Sequence, residues 1–468
     1  MTAKVMGLIL AMCTVAAGFA FGEKNMFTQW KVEQSWDIAE VPSGFPVGFC
    51  LLTAGKTQYV AYYDKLRRMT IASRTLDSNK WTYQVLPSKV GWDSHNGITM
   101  AMDDNGDLHV SGNMHCVPLI YFRTEKPGDI TTLKKLSMTG HAENRCTYPK
   151  FMRDADNRLI FHYRDGGSGR GNEIYNVYDL KTKTWTRLLD TPLTDGQGKM
   201  NAYMHGPVRG PDGFFHMIWV WRDTPDCATN HHLSYARSKD LIHWESAFGD
   251  KVNLPLTISE KKLWVDPIPS GGGIINGGAK LSFDGDNRPI VNYHKSDKDG
   301  NMQIYVARPE NDKWVRHQLT DWDKAVKFSG SGSMGFIGIR ISALSQVEDG
   351  LLTMTYRHRD YGNGRLAIDE ETLRSIDKNV TIKEDQYPEA LDELQSDFKG
   401  MGIRRAKDIG DSGDEKVRYM LQWETLGVNR DRSRKPPLPQ PSTLKLYKLR
   451  ANGEVGTANT HHAEQTDK

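Results

Sequence analysis

One unit recurs along this chain, and it limits the folds open to it. Each copy reads as a strand, an Asp/Asn/Gly turn, a second strand, a third strand carrying Tyr-x-Ala-Arg or a variant of it, and a fourth opened by Trp. The turns are DDNG from Asp103, DADN from Asp154, GPDG from Gly210, DGDN from Asp284 and VEDG from Val347. The third strands are MTIASR (Met69), IYFR (Ile120), IYNVYD (Ile174), LSYARS (Leu233) and IYVAR (Ile304), and the Trp positions are 81, 185, 244, 314 and 423. Copies begin near residues 45, 95, 147, 202, 275, 337 and 400. That spacing suits one four-stranded propeller blade with its loops. The expected fold is all-β: a single-domain, seven-bladed β-propeller over residues 23–450. Its first strand, around Phe27 to Trp36, would pair with STLKLYKLR from Ser442 and close the ring, which removes exposed sheet edges. The 12 Trp, 18 Tyr and 43 Gly agree with a protein of strands and turns. DEETLRSIDKN (Asp369) and YPEALDELQSDF (Tyr387) are the best helical candidates. RDRSRKPPLPQP from Arg430 reads as a surface loop.

The ends read differently. Residues 1–22 have a Lys followed by an apolar, small-residue-rich run, the pattern of a secretory signal peptide. Residues 451–468 are polar and expected to be a disordered tail. The expected location is secreted or periplasmic. A net charge of +3, with no basic run interleaved with aromatics, argues against nucleic acid as partner. No segment after the leader could cross a membrane, and a monomer is expected. Export permits disulfides among Cys50, Cys116, Cys146 and Cys227, but four cysteines allow three connectivities, and buried free thiols are an equal reading. Cys227 with His231 and His232 could hold a metal, although the spacing matches no recognised zinc site.

The stretch from Asp93 to Arg123 holds the first candidate site. NGITMAMD and DLHVSGN flank the Asp103 turn as a hairpin, which places His95 opposite His115 at its open end. Such a pair could transfer protons, bind a metal or grip an anion. Asn96 and Asn113 flank it. Superposing the repeats on Leu108, Leu159, Phe215 and Leu352 brings Gly166, Arg222 and Arg359 to the position of His115. The same rim gains Tyr163, Arg164, Tyr203 opposite Arg222, His294 with Lys295, and Arg357. Imidazole, phenol and guanidinium groups around one funnel suit an anionic, hydroxyl-rich ligand such as a sulfated or uronic-acid polysaccharide. No phosphate-binding loop of the Walker type is present. Eliminating a group linked at O4 of a uronate needs a cation on the carboxylate, a base for the adjacent C–H and an acid for the leaving oxygen. Arg, His and Tyr supply all three, so no cofactor is required, while a structural metal ion remains open. Glycoside hydrolysis usually wants two carboxylates across the bond, and no comparably convergent Asp/Glu pair is visible.

DSHN (Asp93), GDLHVSGNMHCVPLIYFR (Gly106), FHYRDGGSGRGNEIYN (Phe161), GPDGFFHMIWVWRDTPD (Gly210) and TNHHLSYARSKDLIHW (Thr229) carry a family resemblance. At these strings the chain resembles the secreted BNR-repeat propeller proteins that include the ulvan lyases. The resemblance implies cleavage of uronate–rhamnose polysaccharides by β-elimination. It implies catalytic roles for His95 and His115, with Tyr163 as acid or base partner and Arg222 on the carboxylate. Tyr235 is a further substrate-binding candidate. A similar branch hydrolyses rhamnose capping glucuronic acid with a histidine on the opposite face of the ring, where this chain has Phe45. That rhamnosidase is the alternative reading, and a non-catalytic glycan-binding propeller is another.

Overall fold

The computed structural model describes residues 28–382 and 385–452. The expected leader and nearly all of the expected tail lie outside the described residues. Within them the chain is built of antiparallel strands, with four 3-10 turns and no α-helix. The candidate at Asp369 instead ends the strand Gly362–Asp369 and opens a turn, and the one at Tyr387 gives only the 3-10 turn Glu389–Asp392. No helix among the described residues is long and apolar enough to cross a membrane.

The strands form seven sheets of four to six strands. In chain order their leading hairpins are Cys50–Ala54 with Thr57–Tyr63, Ile98–Met102 with Leu108–Gly112, and Cys146–Arg153 with Leu159–Gly167. Asn201–Arg209 with Phe215–Arg222 and Lys280–Phe283 with Pro289–Ser296 follow. The sixth sheet centres on Leu351–His358, and the seventh begins with Met401–Lys407 and Val417–Leu426. The strand Trp30–Val41 pairs with Ser442–Ala451, so both ends of the described chain share the seventh sheet.

The repeat has a local cause. The turn aspartate folds back onto the backbone ahead of it, an Asx turn. Asp103 accepts from the amides of Asn105 and Asp107, Asp154 from Asp156 and Arg158, and Asp284 from Asp286 and Arg288. Gly106 and Asn157 then supply the positive φ that closes two of these turns. The turn fixes register, and Ile98 lies opposite Gly112, as the turn position predicts.

Strands buried on both faces read as apolar runs, and FHMIWVWR (Phe215–Arg222) is buried throughout. Facing sheets share cores in sequence order. One cluster joins Leu51 and Val60 to Met100 and Val110 and also to Leu421 and Leu446 of the seventh sheet. Others join Leu119 to Phe161, Tyr175 to Trp219, Tyr235 to Tyr293, and Ile304 to Met354. Trp185, Trp244 and Trp314 are buried at the outer strands, whereas Trp423 lies inside Val417–Leu426 and opens nothing.

Candidate functional site

The second hairpin ends at Gly112, short of His115. Left-handed Asn113 (φ 58°) and Cys116 (φ 59°) turn the chain out of its own sheet. The short strand His115–Val117 then pairs with Cys146–Arg153 of the third sheet, His115 opposite Thr147. His115 thus sits between two sheets, and its ring lies 4.6 Å from that of His95.

Asp93 holds both rings. Its Oδ1 is 2.8 Å from His95 Nδ1 and its Oδ2 is 2.5 Å from His115 Nδ1. A second carboxylate, Asp431, stands 3.2 Å from His95 Nδ1, and Ser333 Oγ is 3.1 Å from its Nε2. Burial opposes charge on His95, but Asp431 and Asp93 outweigh it and raise its pKa to about 9. Burial opposes charge on Asp93 as well, which would raise its carboxyl, yet its two imidazole partners hold that carboxyl far below the usual range.

The third sheet supplies the next groups through a β-bulge. The register slips between Thr147 and Lys150, so Tyr148 and Pro149 together face Tyr163. Pro149 has no N–H to lose there. Tyr148, at φ 56°, turns out of the ladder. Its ring stacks on His115 at 5.8 Å, and Arg164 lies over it at 4.9 Å. Burial raises the Tyr148 phenol pKa, so it keeps its proton. Arg164 is 1% exposed. Its Nε donates to the Gly166 carbonyl at 3.1 Å, while neither Nη has a partner. A Cβ on Gly171 would come within 2.9 Å of the Arg164 stem, so the guanidinium lies in this place because position 171 has no side chain. Cross-strand from Arg164 is Glu173. Burial raises Glu173 to about 7, against the pull of Arg164 and Lys150.

The fourth sheet closes the cluster. Arg164 lies over the Tyr203 ring at 5.3 Å, and Arg222 lies over the same ring at 5.2 Å. The Tyr203 hydroxyl is 2.5 Å from Ser168 Oγ and accepts from Arg222 Nη1 at 3.3 Å. Burial raises this phenol, but the two guanidiniums outweigh it and the net shift is downward. Arg222 spends its other donors on the carbonyls of Thr224 and Pro225 and on Asn276.

Of the residues named from sequence, the structure brings together His95, His115, Arg164, Tyr203 and Arg222. Asn96 adjoins them, its carbonyl accepting from Tyr63 Oη at 2.6 Å. Asn113 instead ties the turn to the first sheet, donating to Ser88 and Lys89. Tyr163 lies away from the cluster: it points into the apolar core, fully buried, with its hydroxyl on the Ala142 carbonyl. Side chains alternate across a strand, so Tyr163 cannot share a face with Arg164. Tyr235 likewise lies in the core, its hydroxyl 2.6 Å from His216 Nδ1. His294 is buried with Nδ1 donating to the Gly273 carbonyl. Burial lowers its pKa to about 4. Arg359 is engaged with its neighbour Asp360 and the Ala325 carbonyl. Sequence reasoning missed Tyr148, Asp431 and Ser333. A Tyr-Pro pair inside a strand is the one signal that could have pointed to the bulge carrying Tyr148.

Asp93, His95 and His115 are also the one group among the described residues whose donor atoms, all within 4.8 Å of one another, could hold a metal ion. Cys227 and the His231–His232 pair do not converge: Cys227 Sγ faces Met334 Sδ, and His231 bonds Asp223 and His232. The four cysteines are free, Cys116 exposed and the others buried.

Two curated relatives are called "Ulvan lyase, long isoform". That of Glaciecola sp. (strain KUL10) is 39% identical over 148 residues, covering 29% of this chain and 15% of that protein. That of Pseudoalteromonas sp. (strain PLSV) is 35% identical over 78 residues, covering 16% and 8%. The chain thus matches only a small part of these relatives' length. Among solved structures, polysaccharide lyase Uly1 superposes with a TM-score of 0.56 at 14% identity, covering 90% of this chain and 99% of that one. A polysaccharide lyase family 25 ulvan lyase bound to -[GlcA(1-4)Rha3S]- gives a TM-score of 0.54 at 14% identity, covering 89% and 96%. At that identity the likeness is one of fold. The model of the BNR repeat-containing family matches residues 57–322, more than half of the sequence, and the chain belongs to that family.

Proposed function

We propose that this protein is a polysaccharide lyase that cleaves uronate–rhamnose glycans of the ulvan type by β-elimination. The seven sheets are read as blades of a propeller over residues 23–450, closed through the pairing of Trp30–Val41 with Ser442–Ala451. The observation that carries the chemistry is Arg164, a buried guanidinium with both amino groups unpaired, beside Tyr148 and the histidine pair. Buried donors without partners are costly, and a uronate carboxylate would satisfy both in a bidentate contact. The guanidinium carbon lies 4.9 Å from the Tyr148 ring and 5.3 Å from the Tyr203 ring, so a carboxylate on it would sit beside both phenols.

Each role then follows from protonation and geometry. Arg164 neutralises the carboxylate, which makes the adjacent C–H acidic. His115 gives Nδ1–H to Asp93 and so presents Nε2 as the base. Tyr148, kept neutral by burial, protonates the leaving oxygen at C4. His95, held charged between Asp93 and Asp431, adds positive charge beside the developing enolate. Arg222 and Ser168 hold Tyr203 against Arg164. One chain supplies every group, and side chains carry the reaction without a cofactor. The polymer bound to the structurally similar ulvan lyase has this uronate–sulfated rhamnose composition. A leader-like N-terminus suits a secreted or periplasmic enzyme that meets such polymers. The test is incubation with ulvan: lyase action gives the ultraviolet absorbance of an unsaturated uronate, and free rhamnose without that absorbance refutes it in favour of the hydrolase.

A further inference from the structure

The strand Val417–Leu426 of the seventh sheet runs into the Pro- and Arg-rich loop, and the tip of that loop returns to the site. Asp431 Oδ1 accepts from Ser94 N at 3.3 Å and Ser94 Oγ at 3.1 Å. Its Oδ2 accepts from Ser333 N at 2.8 Å and lies 3.2 Å from His95 Nδ1. One carboxylate therefore joins segments that are 98 and 337 residues away along the chain. Ser333 completes the junction, with Oγ 2.6 Å from Ser94 Oγ and 3.1 Å from His95 Nε2.

The backbone around this junction is shaped for it. Arg430 (φ 53°) and Asp431 (φ 59°) are consecutive non-glycine residues in the left-handed region. Such a conformation persists only where the surroundings fix it. Arg430 donates to the carbonyls of Ser329 and Ser331, each at 3.2 Å. A Cβ on Gly332 (φ 78°) would meet the Arg430 carbonyl oxygen at 2.6 Å, so the two loops pack backbone to backbone. The far side is pinned to the fourth sheet's loop, Gly330 N donating to Asp226 at 2.7 Å and Cys227 N to the Gly330 carbonyl at 2.9 Å.

Asp93 has two histidines to serve, and His95 is faced by Asp93, His115, Tyr148, Asp431 and Ser333. We propose that Asp431 is a positioning residue: by holding His95 from the late-chain loop, it leaves the second oxygen of Asp93 free to orient His115. This deepens the elimination reading and rests on it. Without Asp431, Asp93 is the one carboxylate left on His95, Ser333 loses the acceptor of its amide, and the Asp93–His115 pair loses its fixed geometry. Misplacement of a catalytic group by about 1 Å costs on the order of 100-fold in rate.

Asp431→Asn and Gly332→Ala, the second of which alters no side chain that contacts the histidines, are each expected to lower kcat by about 10- to 100-fold with KM within about twofold. Asp431→Glu is expected to recover part of the loss. Amide exchange over residues 329–334 should quicken in Asp431→Asn and Gly332→Ala, a readout that needs no activity. The proposal is overturned if Asp431→Asn keeps kcat within about twofold, or if it raises KM alone. Unchanged exchange overturns the docking itself. A wild-type protein without lyase activity, but with quickened exchange in Asp431→Asn, refutes the elimination reading and upholds the docking.

Discussion

The third and fifth sheets place Tyr at the same point of the repeat, nine residues after the turn aspartate: Tyr163 after Asp154 and Tyr293 after Asp284. Both phenols are buried and satisfied inside the protein, Tyr163 on Ala142 and Tyr293 on Asp266. The next residue is basic in each, and there the sheets part. His294 is sealed, with one nitrogen on the Gly273 carbonyl and its pKa lowered to about 4 by burial. Lys295 after it pairs with Asp266 at 2.6 Å. Arg164, the counterpart of His294, keeps two amino groups without a partner. A basic residue at the rim of a repeat is therefore not in itself a site. What marks the third sheet is a charge the fold has buried without satisfying, which is where a ligand has something to offer.

Arg164 and His294 should differ most when each is replaced. Arg164→Ala should lower turnover of an ulvan-type polymer by about 1,000-fold, the scale of a lost transition-state charge contact. His294→Gln should leave turnover within about twofold and cost stability instead, because His294 is a packing group. Equal losses in both would erase the distinction. Next is the pair of tyrosines. Tyr148→Phe removes the proposed acid and should cost about 100-fold or more in kcat. Tyr163→Phe should keep kcat and lose about 1–3 kcal/mol on thermal unfolding, the worth of the hydroxyl's two hydrogen bonds, to the Ala142 carbonyl and from Arg187.

A smaller effect sharpens the electrostatics of the third sheet. Glu173 has its folded pKa raised to about 7 by burial, above its ordinary value of 4.5. The folded state thus binds the extra proton, and the stability this contributes is present in full below about pH 4.5 and lost as pH rises to about 7. The change is about 3 kcal/mol at most by linkage. Glu173→Gln should flatten that slope in unfolding experiments across the window, and an unchanged slope would place the proton elsewhere. The smallest expected effect is that of a chelator. Exhaustive treatment should leave lyase turnover unchanged, and a loss restored by a divalent cation would assign Asp93, His95 and His115 to a metal.

Much of the fold was legible because the turn aspartates fix both the spacing and the register of the hairpins. The nearness of His95 and His115 was legible but its cause was not: the hairpin ladder ends at Ile98 and Gly112, and His115 reaches His95 on a strand of the neighbouring sheet. Tyr163 falls outside the cluster because strand alternation turns it to the other face of the sheet from Arg164, toward the core. Tyr148 was hidden by a bulge, which breaks the two-residue period on which such readings depend. Asp431 and Ser333 come from loops, GVNRDRSRKPPLPQP and SGSGSMGFIG, whose sequence shows no strand period and no repeat motif. Their role depends on contacts between segments 98 and 337 residues away, which local patterns do not encode. His294 and Tyr235 show the limit of residue type as a guide, since each found its partner inside the protein.

Reception of a uronate carboxylate by the buried Arg164, so that His115 and Tyr148 can eliminate across it, is tested by the ultraviolet progress curve of purified wild-type protein and Arg164→Ala on ulvan, with reducing ends counted in parallel. Unsaturated uronate should appear with wild type in step with new reducing ends, and Arg164→Ala should produce neither at a comparable rate. Reducing ends or free rhamnose without the unsaturated chromophore, or a full-rate curve from Arg164→Ala, would contradict it.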